Sequence, residues 1–411
     1  SLSSANAAAS VALGSPGSAT TFTVGDANNT TFAGVISGGA NAVLDKVGPG
    51  TLTLSGANTY AGNTTISAGV LAVQHASALG STARSTTVAA GAALQLSNVI
   101  TAAEPLFLNG TGVAADGALR SIVGNNTFAG AVTLSSAARI NADADTLTLS
   151  GTVTSANHAL TVGGGGDTTL SANLSLGTGT LTKDGAGTLL LSGSTGTVGQ
   201  VSLAAGTLSI GGSTTLNTAE FTSAGSSTLT IASGGTVAAS YAATNTNFNG
   251  ILAGDGIFAA TGTAANAGLT FGTTFSAGAL TLQVGSTTIG SSDLNDYFTV
   301  RFGNNVGITV GTLEITGDTI LDFGNGANTL TSTNLVLSNS SIRVHVINWT
   351  GLSDAWYVNS LINGASHPAN VFTGIPLSQI TFASYTGLTT TWVSGTTEGW
   401  LHNEILPTPE P

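Results

Sequence analysis

The amino-acid sequence predicts an all-β fold, a parallel β-solenoid that ends in a β-rich C-terminal cap module. Three observations predict it: a segment that occurs twice, short runs in which apolar and hydroxylated residues alternate, and glycines between these runs. Composition agrees, because only 6% of the 411 residues are charged, against about 25% in globular domains, while aliphatic residues are plentiful. Such a chain can bury a core and expose hydroxyls and amides to solvent.

The repeat covers residues 44–73 and 181–210, which align without a gap. Three pairs of positions illustrate the match: Lys46 with Lys183, Gly50 with Gly187, and Gly69 with Gly206. Looser copies occur at residues 145–151, 227–231, 278–282 and 311–315. Recurrence of one local pattern along a chain is the signature of a repeat architecture.

Each repeat contains a short strand whose side chains alternate between two faces. In residues 51–54 the leucines point one way and the threonines point the other. Glycines follow where the chain must turn or where two backbones come close. These corner glycines are Gly48, Gly50 and Gly56. The strand and corner together predict one side of a coil.

A solenoid and an antiparallel sandwich both fit short alternating strands. A sandwich requires hairpins, and Asn-Gly or Asp-Gly turns do occur, at Asn109, Asp116 and Asn249. They are not placed at hairpin spacing through the repeats. We therefore expect coils of about 20–25 residues that stack with a rise of about 4.8 Å.

Charge and residue usage exclude several classes of function. The net charge is −12, with two lysines and five arginines, so we expect no nucleic-acid partner. No apolar run approaches the roughly 18 residues of a membrane span, and we expect no membrane insertion of the mature form. The chain has no Cys, so disulfides cannot support the fold.

Residues 31–38 and 44–71 carry a family resemblance. The sequence Thr-Phe-Ala-Gly-Val-Ile-Ser-Gly is followed by Leu-Asp-Lys-Val-Gly-Pro-Gly-Thr-Leu-Thr-Leu-Ser-Gly-Ala-Asn-Thr-Tyr-Ala-Gly-Asn-Thr-Thr-Ile-Ser-Ala-Gly-Val-Leu. It closely resembles the autotransporter-associated β-strand repeat. The resemblance implies a right-handed β-helix at the surface of a Gram-negative bacterium.

The C-terminal part resembles a second family. Residues 320–326, 347–351, 377–382 and the ending Leu-Pro-Thr-Pro-Glu-Pro at 406–411 are similar to the tail of PEP-CTERM proteins. In that family an exosortase removes a sorting signal after Pro-Glu-Pro, which here implies a processing site at Pro411. The resemblance also implies an extracellular matrix of biofilm type.

Four segments follow from these patterns. Residues 1–24 are an extended N-terminal segment that could pair with another subunit, and residues 25–334 are the solenoid. Residues 335–406 form the cap or interface module, and residues 407–411 are the residual sorting-signal tail. The module is set apart because it contains all four tryptophans: Trp349, Trp356, Trp392 and Trp400. They are candidates for assembly contacts or for glycan stacking, and the alternative is that they close the solenoid end.

Catalytic and metal sites are weakly indicated. Asp143 and Asp145, with Asn141, place oxygen ligands on one side of a strand and could bind Ca²⁺; the alternative, solvated carboxylates, is the simpler interpretation. The five histidines are scattered without zinc spacing. We expect no enzyme and no cofactor.

The functional hypothesis is a secreted structural protein that assembles through its chain ends into an extracellular filament or biofilm-matrix fibre. Its partners would be further copies of the same chain. The alternative is a monomeric cell-surface adhesin, a β-helix that binds extracellular polysaccharide.

Overall fold

The computed structural model describes most of the chain. It excludes residues 15–18, 102–103, 243–245, 288, 290, 325–326, 340, 349–354, 364–379, 383–387, 398–399 and 410–411. Beyond residue 354, the structure describes the burial of two side chains, those of Trp356 and Ile380. The chain divides into two compact units, Ser1–Leu208 and Ser209–Pro411.

The strands of the first unit are short, because each one spans a single side of a coil. They are β1 Ser10–Leu13, β2 Thr20–Val24, β3 Thr30–Phe32, β4 Val35–Gly38, β5 Ala42–Lys46, β6 Thr51–Leu54, β7 Thr64–Ile66, β8 Val70–Val73, β9 Thr86–Val88, β10 Ala93–Ser97, β11 Ile100–Thr101, β12 Leu106–Gly110, β13 Leu119–Val123, β14 Asn126–Phe128, β15 Val132–Ala142, β16 Thr146–Leu149, β17 Val153–Ser155, β18 Leu160–Gly163, β19 Asp167–Leu170, β20 Leu174–Ser175, β21 Thr180–Lys183, β22 Thr188–Leu191, β23 Thr195–Val198 and β24 Gln200–Leu203. Strand β25, Thr207–Ile210, lies at the division between the units.

The second unit has longer strands towards its end. They are β26 Thr215–Thr218, β27 Phe221–Ser223, β28 Thr228–Ile231, β29 Thr236–Tyr241, β30 Thr246–Phe248, β31 Ile251–Gly254, β32 Ile257–Gly262, β33 Gly268–Phe271, β34 Phe275–Ser286, β35 Phe298–Phe302, β36 Gly307–Ile315, β37 Thr319–Asp322, β38 Thr329–Leu337, β39 Val344–Ile347, β40 Ala355–Asn363, β41 Ile380–Phe382, β42 Leu388–Thr397 and β43 Trp400–Pro409. Two short 3₁₀-helices, Val113–Ala115 and Leu294–Asp296, are the helices of the described residues. None of these is long and apolar enough to cross a bilayer.

Strands of the first unit stack in three parallel columns. Column one contains β2, β5, β7, β9, β12, the first half of β15, β17, β20 and β23. Column two contains β3, β6, β8, β10, β13, the second half of β15, β18, β21 and β24. Column three contains β11, β14, β16, β19 and β22, and β1 and β4 form a separate two-stranded parallel sheet. The parallel β-solenoid is thereby confirmed, since all of these pairings are parallel.

The second unit begins with the same three-strand coil, and from β34 onwards each coil has one long and one short strand. Parallel pairing runs through β26, β29, β32 and the later strands, and it continues past residue 335 to β41. Strands β42 and β43 then form an antiparallel hairpin, and β43 also pairs antiparallel with β40. A hairpin therefore follows the last parallel strand.

Coil length agrees with expectation where no loop is inserted. Leu44 pairs with Thr64, 20 residues further on. Thr281 pairs with Thr312, 31 residues further on, because a loop that holds the second 3₁₀-helix separates β34 from β35. Insertions into repeat architectures commonly form loops of this kind on one face.

The core follows from strand alternation. Leu52 and Leu54 are 1% and 0% exposed, while Thr51 and Thr53, which alternate with them, are half-buried. Leu52 begins a ladder of buried residues in consecutive coils of column two. This ladder is Leu52, Leu71, Leu94, Leu119, Ile140, Val162 and Lys183. Hydrophobic burial and a repeated backbone ladder together hold the coils.

Candidate functional site

The most distinctive site of the first unit is a buried lysine at a corner of the coil. Lys46 ends β5 on its inward face and is 1% exposed. Its aliphatic stem occupies the position that Val24 and Ile66 take in the neighbouring coils. Such a side chain can bury its stem while its charged head reaches polar groups.

The ammonium of Lys46 finds those groups in the backbone. Its Nζ donates to the carbonyl oxygens of Val47, Gly48 and Ala68, each at 3.0 Å. Gly48 has a φ of +72°, and this left-handed turn directs the corner carbonyls inward. Because Ala68 belongs to the next coil, the ammonium links two coils.

Lys183 repeats this arrangement at the end of β21. It is 1% exposed, and its Nζ donates to the carbonyl oxygens of Asp184 at 2.7 Å, Gly185 at 3.0 Å and Ala205 at 3.4 Å. Gly185 has the same φ of +72° as its counterpart. We call each arrangement a lysine corner: Lys46–Gly50 with residues 68–69, and Lys183–Gly187 with residues 205–206.

A glycine of the next coil completes each corner. Gly69 and Gly206 have φ values of +65° and +66°. A Cβ on Gly69 would overlap the carbonyl oxygens of Gly48 and Gly50, and Gly206 meets the equivalent pair. Only glycine combines this conformation with this close approach.

The two lysine corners lie at different places in the coil. Strand β5 belongs to column one, whereas β21 belongs to column two. The repeated sequence therefore specifies a corner with its two flanking strands, and either side of the coil can accommodate it.

Burial dominates the electrostatics of both lysines. It lowers the pKa of Lys46, with Asp26 opposing, and it lowers the pKa of Lys183, with Asp184 and Asp167 opposing. Each lysine corner supplies acceptors alone, which the three donors of an ammonium satisfy and an apolar side chain would not. Neither lysine has a carboxylate among its three Nζ partners, so the corner suits cross-linking of coils better than proton transfer.

Comparison with known families identifies these two segments. Both match the passenger-associated transport repeat. The matches cover residues 44–73 and 181–210 and so contain both lysine corners. No curated protein and no solved structure matches the chain.

The passenger-associated transport repeat and the parallel β-solenoid indicate a passenger-like surface protein. Passenger repeats imply an extracellular or cell-surface location in Gram-negative bacteria. The resemblance to an autotransporter-associated repeat is thereby confirmed for the two segments.

The predicted calcium ligands are engaged by protein groups. Asp143 forms an ion pair with Arg120 at 2.7 Å and accepts a hydrogen bond from the Asn141 amide at 2.8 Å. Asp145 occupies a left-handed turn with φ of +55°, and its carboxylate accepts from the Gly124 N–H at 2.7 Å. Within the described ranges no group of three or more His, Asp or Glu side chains is arranged to hold a metal. Calcium binding stays a prediction.

A second ion pair on the same side of the unit spans three coils. Arg139 in β15 reaches Asp184, two coils further on, with Nη1 to Oδ2 at 2.7 Å and Nη2 to Oδ1 at 2.9 Å. Gly163 lies in the coil between them, and a Cβ there would overlap both partners. The missing side chain is what lets the guanidinium cross.

The four tryptophans and Pro411 are placed unequally. Trp356 in β40 is fully buried, so its ring packs in the interior. Trp392 and Trp400 lie in β42 and β43, the terminal hairpin. Trp349 and Pro411 lie outside the described residues. Contacts by these residues with other subunits or glycans stay predictions.

Sequence reasoning aligned the two lysines without recognising that they are buried. The signal was present, because Lys46 lies two residues after the inward-facing Leu44 and Lys183 two after Leu181. In a strand, residues i and i+2 share a face. The same reasoning did not find Glu104, which the structure buries in the core.

Proposed function

We propose that this chain is a secreted structural protein of the Gram-negative cell surface that assembles with further copies through its ends. The product would be an extracellular filament or matrix fibre, and the role is structural, with no catalytic step. Support comes from the solenoid architecture, the passenger-associated transport repeats and the first coil.

The first coil carries the proposal. Residues 1–25 contain no charged side chain. Val11 and Phe22 face inward, paired with Ile36 and Leu44 of the next coil. Yet Val11 and Phe22 are only half-buried, whereas Ile36 and Leu44 are 0% exposed. This coil presents apolar core side chains to solvent.

The strand edge of the first coil supports the same interpretation. Among the described residues, β1 pairs with β4 and β2 pairs with β5, each on one side. Proteins normally protect such edges with charges, prolines or bulges. An uncharged edge next to apolar side chains favours addition of a strand from another molecule.

The terminal hairpin β42–β43 is the other surface that the proposal uses. Its strands pair over ten positions, from Leu388 with Pro409 to Thr397 with Trp400. A hairpin of this length has an outer edge that could meet the first coil of the next copy. Growth would then be head to tail, which gives an open fibre.

The test is light scattering, which measures the molar mass of the particles as a function of protein concentration. It compares the wild type with two variants in which a residue is replaced by lysine. We expect the wild-type mass to rise with concentration and Phe22→Lys to abolish the rise, because a charge would lie in the contact. Thr23→Lys is the matched control: Thr23 is the next residue and faces outward, so the mass should rise as in the wild type.

A monomeric wild type at high concentration with residues 1–24 present would refute assembly. So would a Phe22→Lys protein that assembles like the wild type while its circular dichroism is unchanged. Val11→Lys provides a second variant at the same surface in case Phe22→Lys loosens the coil.

Polysaccharide binding and C-terminal sorting stay predictions with their own tests. Loss of binding in Trp400→Ala on a glycan array would favour the adhesin hypothesis, whereas Trp356→Ala would act through the core. Exosortase processing at Pro411 is tested by the C-terminal mass of the protein isolated from its cells.

A further inference from the structure

Glu104 is a carboxyl inside the aliphatic core of the first unit. It precedes β12 and is 4% exposed. Its Oε1 accepts a hydrogen bond of 2.7 Å from the hydroxyl of Thr86, which is fully buried in β9, one coil earlier. A buried carboxylate normally requires a charged partner or several donors.

The polar group extends into one further coil. Thr86 pairs in register with Thr64 of β7, which is also fully buried. The Thr64 hydroxyl lies 2.7 Å from the hydroxyl of Tyr60, a residue with no exposed surface. Tyr60, Thr64, Thr86 and Glu104 therefore form a polar strip through otherwise apolar coils.

Within the part of the chain that the structure describes, no cation acts on Glu104. Tyr60 is the titratable side chain that faces it from the earlier coil, and Glu104 helps to raise the pKa of that phenol. Arg84, two residues before Thr86, is exposed. Burial raises the pKa of Glu104 to about 7, and the hydrogen bond from Thr86 opposes this. The carboxyl thus changes charge near neutral pH while the phenol stays neutral.

We propose that Glu104 is a pH-sensitive switch within the solenoid: protonated, it closes the coils around β9 and β12, and ionised, it opens them. The neutral acid has a proton to donate and fits an apolar interior. The carboxylate must recover hydration, and Pro105, the next residue in the chain, is exposed. The device lies within one unit and operates whether or not copies assemble.

The direction of the pH effect follows from the two pKa values. Unfolded, Glu104 has the ordinary pKa of 4.5, and folded it has about 7. Its contribution to stability is fully present below pH 4.5 and is lost as the pH rises through 7. A rise of the pKa from 4.5 to about 7 corresponds to a change on the order of 300-fold in the opening equilibrium.

Hydrogen exchange of the backbone amides in residues 86–110, corrected for intrinsic rates, tests the proposal at pH 5 and pH 8.5. We expect protection in the wild type to fall on the order of 100-fold between these pH values. In Glu104→Gln the side chain at position 104 is neutral at both pH values. Protection of the backbone amides should therefore be constant, and at pH 8.5 it should exceed that of the wild type.

The second unit offers a matched control, Glu220→Gln. Glu220 also accepts from a buried threonine, Thr246, and lies near a buried tyrosine, Tyr241. It differs in being half-buried. This variant should reproduce the wild-type pH profile at residues 86–110.

Two results would overturn the switch: constant wild-type protection, or a pH dependence that persists in Glu104→Gln. If that variant unfolds, carbon-13 titration of the wild-type glutamate carboxyls gives the answer directly. A Glu104 carboxyl that titrates below pH 5 refutes the proposal, and one that titrates near 7 supports it.

Discussion

At the scale of the residue, one lysine side chain both packs in the core and binds the carbonyl groups of a coil corner. Lys46 ends an apolar ladder with its stem and satisfies three corner carbonyls with its ammonium. Burying a charge costs free energy, and hydrogen bonds to a charged group return about 1.5–3 kcal/mol. The geometry explains why a chain with two lysines buries both.

Lys46→Met tests this role. The thioether chain can replace the stem, but the three carbonyls lose their donor, so we expect a loss of about 2 kcal/mol in the free energy of unfolding. Chemical denaturation measures it. Lys183→Met serves as an internal replicate, and its free energy of unfolding should fall by a similar amount. A loss below about 0.5 kcal/mol in both variants would contradict this role of the lysine corner.

The next scale is the element, where the Arg139–Asp184 pair ties β15 to the corner after β21 across the intervening β18. Arg139 is 19% and Asp184 34% exposed, so solvent screens the pair in part. The pair can form because Gly163 has no side chain, since a Cβ there would overlap both the guanidinium and the carboxylate.

Gly163→Ala should therefore remove the pair without touching either charge. We expect a double-mutant cycle of Arg139→Ala and Asp184→Ala to give a coupling of about 1 kcal/mol, which disappears in the Gly163→Ala background. Gly225→Ala is the control, because a Cβ there meets only one atom, at 3.6 Å. A coupling that survives in Gly163→Ala would contradict this account.

The inserted loop between β34 and β35 is held at one carboxylate. Asp318 is fully buried, and it accepts from the N–H groups of Ser291 at 2.6 Å and Arg343 at 2.8 Å. Ser291 also accepts at its carbonyl oxygen from the Tyr297 hydroxyl. A buried acid with two backbone donors is a structural anchor for the loop.

Asp318→Ala should release this loop and lower the free energy of unfolding by about 3 kcal/mol, because two buried N–H groups lose their acceptor. Limited proteolysis between residues 287 and 297 provides the readout. The exposed Asp255→Ala is a control expected to leave cleavage unchanged. Equal cleavage of Asp318→Ala and wild type would contradict the anchoring role.

At the scale of the whole molecule, stacked coils contact mainly their sequence neighbours, so damage should stay local. We expect Lys46→Met to reduce amide protection between residues 20 and 90 and to leave residues 150–200 of the same unit unchanged. Hydrogen exchange resolved by segment measures this. Loss of protection throughout the unit would show that it unfolds as one cooperative block.

Period-two alternation and the repeated segment were sufficient to predict the solenoid. Leu52, Leu54 and the threonines between them take the faces that the pattern gave them, and Gly48 takes the left-handed conformation expected of a corner. Local sequence controls these features, because strand pleat and glycine geometry depend on adjacent residues. Residues 1–24 were predicted as an extended N-terminal segment, and β1 and β2 within them pair with β4 and β5.

The candidate sites depended on contacts between coils. Asp143 forms its ion pair with Arg120, which lies 23 residues earlier in the chain. Glu104 had no special pattern, and its burial follows from the coils on either side. Which residues of neighbouring coils meet depends on the number of residues in each coil. That number varies with inserted loops, which the alternation of apolar and polar residues does not reveal.

The sequence alone determined the parallel β-solenoid, its inward and outward faces and the two copies of the repeat that contain Lys46 and Lys183. Tertiary structure decided that the corners lie in different columns, that Lys46 and Lys183 bind carbonyls of the next coil, and that no cation of the described residues acts on the enclosed Glu104. The reason is physical: alternation and turn geometry act within a few residues, whereas burial and hydrogen-bond partners are set by side chains about 20 residues away that stacking brings to roughly 4.8 Å.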